Sequence, residues 1–317
     1  MKKKIKIIFV LLVIISSVIF SKQTKAQQPY VSFQVFYDQL SPYGQWVDNP
    51  NYGYVWIPDA GYGFVPYSTG GHWILTEYGW AWYSDYNWGW APFHYGRWDY
   101  NDYYGWFWVP DNEWGPSWVI WRSAGDYYGW TPMRPGITIN VSFGNNYDSH
   151  NDHWIFVRNR DIGRTNIHRY YVNRNDHHRI ISDSRVIENT YEDRGRKTRY
   201  VSGPGRDDVQ RATGRAVRSV SVQDNNSPGQ KLNNGQLQIY RPQVNKDNGN
   251  ERRSAPARVT NSNEVRQPSQ RNATNNKQNV NRSNNSKEDQ QPNTQKQSRN
   301  KRNERSTKTK SGETKNR

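Results

Sequence analysis

Cysteine is absent from all 317 residues. That excludes disulfides, thiol catalysis, cysteine-ligated zinc or iron–sulfur centres and a lipid-modified N-terminal cysteine. An exported chain without disulfides has to be held by its own core. Long apolar runs are missing too, with one exception at residues 7–20, where the chain reads IIFVLLVIISSVIF. These fourteen residues fall short of the roughly 20 that a bilayer-spanning helix needs. A GxSxG elbow, a P-loop and a GxGxxG turn between strand and helix are all lacking, so none of those chemistries has its motif and no cofactor is implied.

The single apolar run follows a basic stretch (Lys2, Lys3, Lys4, Lys6) and leads to Thr24-Lys25-Ala26. Residues 1–26 therefore read as a cleaved secretory signal, and the expected location is the periplasm, cell surface or medium. The net charge of +16 is unevenly spread. Residues 30–135 carry three basic and ten acidic side chains, residues 136–245 seventeen and eleven, and residues 246–317 eighteen and seven. The aromatic part of the chain is thus acidic, and the positive charge lies downstream.

Fourteen of the fifteen tryptophans fall between Trp46 and Trp130, in an internal repeat. Three units read GYVWIPDAGYGFVPY, GWAWYSDYNWGWAPF and GWFWVPDNEWGPSWV, starting at Gly53, Gly79 and Gly105 with a constant spacing of 26. Trp56, Trp82 and Trp108 keep that phase, as do Asp59, Asp85 and Asp111. Gly44-Gln45-Trp46, Gly71-His72-Trp73 and Gly96-Arg97-Trp98 precede the units, and Gly129-Trp130-Thr131-Pro132 begins a partial fourth. Tryptophans two apart, such as Trp80 and Trp82, project from one face of an extended chain. Recurrent Gly, Pro and Asp mark turns. The expectation is an all-β domain over 30–135, made of antiparallel hairpin repeats in a meander or small barrel, with no helix of note.

A 26-residue unit has few inward positions. Each aromatic placed there removes roughly 150–250 Å² from water, worth several kcal/mol at about 25 cal/mol per Å². Most of the rings are therefore expected in the core, and the surplus is free to form a ligand platform. That platform is expected where aromatic density peaks, at Tyr86, Trp88, Trp90, Tyr95 and Trp98.

GHWILTEYGWAWYSDYNWGWAPFHYGRW and GWFWVPDNEWGPSWVIWR resemble the motifs of a family of exported bacterial proteins with YXWGXW-type tryptophan–glycine repeats, classed as domain of unknown function 6600. The resemblance covers about residues 35–135, with a weaker echo in VSGPGRDDVQRATGRAVRSV at 201–220. It implies an envelope location and carries over no catalytic residue.

Downstream, residues 136–245 read as a sparse extension. Strands are expected at 137–143, 154–157 and 217–222, and one short helix at 207–214, with acids in its first turn and Gly214 at its end. From residue 246 to 317 the sequence is Asn-, Gln-, Ser-, Lys- and Arg-rich, and a disordered basic tail is expected, suited to polyanions.

Sharper chemical readings compete with plainer ones. Glu77 with Asp85, or Asp99 with Asp102, would suit a carboxylate pair hydrolysing a cell-wall polysaccharide. The threefold recurrence of Asp at the phase of Asp85 favours turn closure by its side chain instead. His150, Asp152 and His153, and His177-His178, lack metal-ligand spacing and read as surface polar residues. Nucleic-acid stacking wants a positive groove beside the rings, and the aromatic region is acidic. The expectation is a non-enzymatic envelope protein whose repeat domain binds a glycan or a protein partner, its tail attracting polyanions. A purely structural, self-associating surface protein is the third reading.

Overall fold

A computed structural model describes residues 30–144, 153–245 and 254–265. Contacts divide the chain into units 1–273 and 274–317, and every described residue lies in the first. Residues 1–26, expected to be a signal, and most of the tail are outside the described residues, as are His150 and Asp152. No helix among the described residues is long and apolar enough to cross a membrane.

A short strand, β1 (Tyr30–Val31), and a helix, Gln34–Leu40, precede four consecutive hairpins. These are β2 (Gly44–Asn49) with β3 (Gly53–Pro58), β4 (Gly71–Thr76) with β5 (Gly79–Ser84), β6 (Arg97–Asn101) with β7 (Gly105–Val109), and β8 (Val119–Ala124) with β9 (Tyr127–Pro132). The helix, of seven residues, stands in a region where no helix of note is expected. Its Phe36, Tyr37 and Leu40 face inward, a stripe too short to register as helical period in the sequence.

Each hairpin is built round one cross-strand tryptophan pair: Trp46↔Trp56, Trp73↔Trp82, Trp98↔Trp108 and Trp121↔Trp130. Opposed residues in an antiparallel pair lie side by side on one face, so every hairpin delivers two indoles to the same layer. In the first three hairpins the glycine two residues before the first tryptophan makes room for the second. A Cβ on Gly44, Gly71 or Gly96 would stand 2.6, 2.7 or 2.8 Å from the indole nitrogen of Trp56, Trp82 or Trp108. The glycine that opens the second strand has a different reason: Gly53, Gly79 and Gly105 have φ of 70°, 106° and 78° at the turn exit, a region glycine enters at little cost.

The hairpins do not run on as a single meander. The first and third join through Trp56↔Trp108, giving the sheet order β2-β3-β7-β6, while β4-β5 stands alone. Tryptophans are exchanged accordingly. Trp46 meets Trp108 at 6.3 Å and Trp56 meets Trp98 at 6.4 Å, a reciprocal arrangement across the first and third hairpins. Trp73 of the second hairpin packs on Trp121 of the fourth, at 4.5 Å. Among the described residues the sheets form no closed barrel.

The extension adds β10 (Ile155–Arg158), β11 (Arg185–Val186), β12 (Thr190–Asp193), β13 (Thr198–Val201), β14 (Ser221–Asp224), β15 (Gln230–Asn233), β16 (Gln236–Ile239) and β17 (Gln243–Val244). β10 and β11 flank the fourth hairpin, and β17 pairs with β1. Trp80 donates its backbone N–H to Ser202 O (2.9 Å) and its indole N–H to Pro204 O (3.0 Å), so the second hairpin is clasped by the extension. One core cluster runs from Phe36 to Val244.

Two local expectations are corrected. At 137–143 the alternating run forms a one-turn helix, Ile139–Ser142, because Thr138 caps it by accepting from Val141 N and no strand among the described residues pairs there. At 217–222 only the end is extended: Val220 bridges Thr76 and the strand begins at Ser221. The expected helix is found at Arg206–Thr213, with Gly214 in the left-handed conformation (φ 65°) at its end.

The tail boundary moves as well. Residues 254–265 lie against the repeat domain: Thr260 donates to Trp46 O (2.8 Å), and Val265 completes a second apolar cluster with Val47, Val55, Ile57, Tyr104 and Phe107.

Candidate functional site

All fifteen tryptophans are buried, none more than 8% exposed. Among the described residues the most exposed large aromatics are tyrosines, such as Tyr43 (38%), Tyr62 (69%) and Tyr103 (45%). Of the five residues expected to form a platform, four are core. Trp88, Trp90, Tyr95 and Trp98 are 5, 2, 0 and 1% exposed. Their surfaces are taken up by neighbouring rings: Trp88 lies on Phe93 and against Trp56, Trp90 against Phe36 and Tyr240, and Trp98 against Phe64. Tyr95 donates its hydroxyl to Pro242 O (2.7 Å), and burial raises its pKa far above the ordinary tyrosine range. A buried ring has no face to offer a ligand, and the high aromatic density of 82–100 is explained by packing.

Tyr86 is the exception. It is half-buried, stacked at 4.4 Å and 11° on Trp88, and it lines an open groove of about 440 Å³. The groove brings together Gln39 from the N-terminal helix, the exposed ring of Tyr43, the exposed Asp85 and Asn87 that flank Tyr86, and Gln230 at the start of β15. Trp88 and Trp90, both buried, also line it. Gln230 is held in place by donating Nε2 to Ser84 O (2.8 Å). Burial raises the Tyr86 hydroxyl above its ordinary pKa, so the phenol stays a neutral donor. The groove thus offers aromatic edges, amides and one carboxylate within a size usual for small-molecule sites. Sequence reasoning reached Tyr86 but missed Gln39, Tyr43 and Gln230, which lie 47, 43 and 144 residues away along the chain. Nothing in local composition links them.

Of the carboxylates singled out for hydrolysis, Glu77 and Asp85 lie far apart. Glu77 sits at the tip of the second hairpin and accepts from Val222 N, whereas Asp85 follows the far end of β5. At about 3.3 Å per residue of strand, the two are on the order of 20 Å apart, well beyond the roughly 5–10 Å that paired glycosidic carboxylates span. Asp99 is buried and engaged by Arg134 Nε (3.0 Å), Tyr52 Oη (3.2 Å) and its neighbour's backbone N–H. The repeated aspartates close their hairpins mainly through backbone: Asp59 N donates to Tyr43 O (2.8 Å) and Asp85 N to Gly70 O (2.7 Å). At Asp111 the side chain also takes part, accepting from Asn112 N.

The described histidines also serve the fold. His153 packs on Tyr100 and Trp106. His177 turns inward, with Nε2 3.1 Å from Val172 O, contrary to the expected surface position, while His178 is exposed. His94 is fully buried and stacks on Trp114, with Nδ1 3.0 Å from Gly115 O. Burial lowers its pKa to about 4, so it is neutral at pH 7 and donates from Nδ1.

The fold and groove define an all-β tryptophan–glycine hairpin-repeat protein. Residues 37–137, the span of the four hairpins, match a family of unknown function, DUF6600. Neither a curated protein nor a solved structure matches the chain.

Proposed function

We propose that the protein is a non-enzymatic, exported envelope protein whose repeat domain binds a neutral glycan in the groove beside Tyr86. The observation that carries this reading is the meeting of Tyr43 and Tyr86 with Gln39, Asp85, Asn87 and Gln230 in one open groove. Sugar rings present an apolar face to aromatics and hydroxyls to amides and carboxylates, the two kinds of surface the groove provides. The acidic balance of residues 30–135 disfavours polyanions there. Those fall to the basic segment beyond residue 246, which would hold acidic envelope polymers close by. Export rests on the signal-like segment 1–26.

The test is a screen of neutral and acidic envelope polysaccharides, followed by calorimetric titration of the hits. Tyr43→Ala and Asp85→Ala are each expected to weaken binding of a neutral glycan by about tenfold, with unfolding midpoints unchanged because both residues are exposed. Equal affinity in the variants, or no glycan bound at all, would overturn the proposal.

A further inference from the structure

A second cavity, of about 450 Å³, opens on another part of the molecule and has a different character. Its floor is the apolar edge of β4, Ile74 and Leu75, continued by Val209 and Val217. Its mouth carries four arginines, Arg160, Arg164, Arg215 and Arg218. The volume is within the usual range for small-molecule sites.

The walls have fixed shapes. The segment after the helix Arg206–Thr213 leaves through left-handed Gly214 and is pinned by Val217 N donating to Gln210 Oε1 (3.1 Å) and Val220 N donating to Leu75 O (2.8 Å). Arg160 and Arg164 also line the cavity, their Nε atoms 3.8 and 3.1 Å from the buried Asp161 carboxylate. No carboxylate lines the cavity among the described residues; Asp161 pairs with Arg160 and Arg164, and the side chains of Arg215 and Arg218 have no ion-pair partner among the described residues. The mouth is therefore strongly positive above an apolar floor.

We infer that this cavity is a binding site for an amphipathic anion, a hydrocarbon body seated on Ile74, Leu75, Val209 and Val217 with an anionic head held by Arg215 and Arg218. A neutral sugar would leave the guanidiniums unused, and a polyanionic chain would leave the apolar floor wet. Both parts are satisfied together only by a molecule with one apolar and one anionic end, a carboxylate or a phosphate. The sequence VSGPGRDDVQRATGRAVRSV thereby acquires a role: its helix supplies Val209 to the floor, and the ATGRAVRSV turn supplies the floor's Val217 together with Arg215 and Arg218.

The experiment titrates the full chain with dodecanoate and dodecyl phosphate below their micellar concentrations, against dodecyl maltoside and inorganic phosphate. Saturable one-to-one binding of an anionic amphiphile is expected. The double substitution Arg215→Gln with Arg218→Gln should weaken it by about tenfold or more. Val217→Trp, at a half-exposed position, should block the hydrocarbon while leaving the arginines in place. Binding of both heads alike means that charge alone is read, and binding of dodecyl phosphate alone assigns a phosphate-headed lipid; both outcomes uphold the site. Maltoside or inorganic phosphate binding as tightly as the anionic amphiphiles would overturn it, as would absence of binding or affinity unchanged in both variants.

Discussion

At the residue scale, tryptophan and glycine work as a couple, and the two kinds of glycine predict different costs. Gly71→Ala drives a Cβ to 2.5 Å from Tyr83 O and 2.7 Å from Trp82, contacts that need backbone movement, so a loss of more than about 2 kcal/mol is expected. Gly53→Ala has open space but a φ of 70°, and about 1 kcal/mol is expected. Denaturant titration of the two variants checks that order. The indoles also differ. Trp108 Nε1 donates to Tyr95 O (2.7 Å), whereas Trp98 Nε1 has no acceptor among the described residues. Trp108→Phe should therefore cost about 1 kcal/mol more than Trp98→Phe, since only the first leaves a buried carbonyl without its donor. A reversed order in urea would contradict the assignment. His94 adds a pH limb. Its folded pKa of about 4 lies below the ordinary 6.5, so the unfolded chain takes up the proton first as pH falls. Stability is full above about 6.5 and declines towards 4, by up to about 3 kcal/mol. His94→Gln should flatten that limb in unfolding measured across the window.

At the element scale, hairpins were legible because their signals are local. Constant spacing gave the second strands, the left-handed glycines marked the turns, and alternation placed tryptophans on one face. The partners of the hairpins were not legible. Pairing of the first with the third depends on Trp46 reaching Trp108 and Trp56 reaching Trp98, contacts 62 and 42 residues apart in sequence. The fourth hairpin was also out of phase, since its tryptophan falls 22 residues after Trp108 and not 26. Short elements misled in both directions: Gln34–Leu40 hid a helix in seven residues, and the alternation at 137–143 belonged to a capped turn. The strap at 254–265 was invisible because its composition is that of the tail, and a few groups decide its place: Gln34 Nε2 donating to Ala255 O, Thr260 on Trp46, and Val265 in the outer cluster. Val265→Asp should release it and lower stability by about 1–3 kcal/mol, read as protease susceptibility near residue 260 together with the denaturation midpoint.

At the scale of the whole molecule, an acidic aromatic scaffold is braced by a basic extension. Arg241 shows how they join: it pairs with Asp224 and lies over Trp114 (4.9 Å) and Tyr78 (5.1 Å). Buried aromatics and clasping arginines do for this cysteine-free chain what disulfides do in many exported domains. The density of rings in WYSDYNWGWAPFHYGRWDY is on this account a core, with Tyr86 at its margin. Acrylamide quenching of tryptophan fluorescence in the folded chain tests that most directly. Fifteen buried indoles predict emission shielded almost completely, with a quenching constant several-fold below that of free indole. A sizeable fraction quenched as readily as free indole would place tryptophans on the surface and contradict the account.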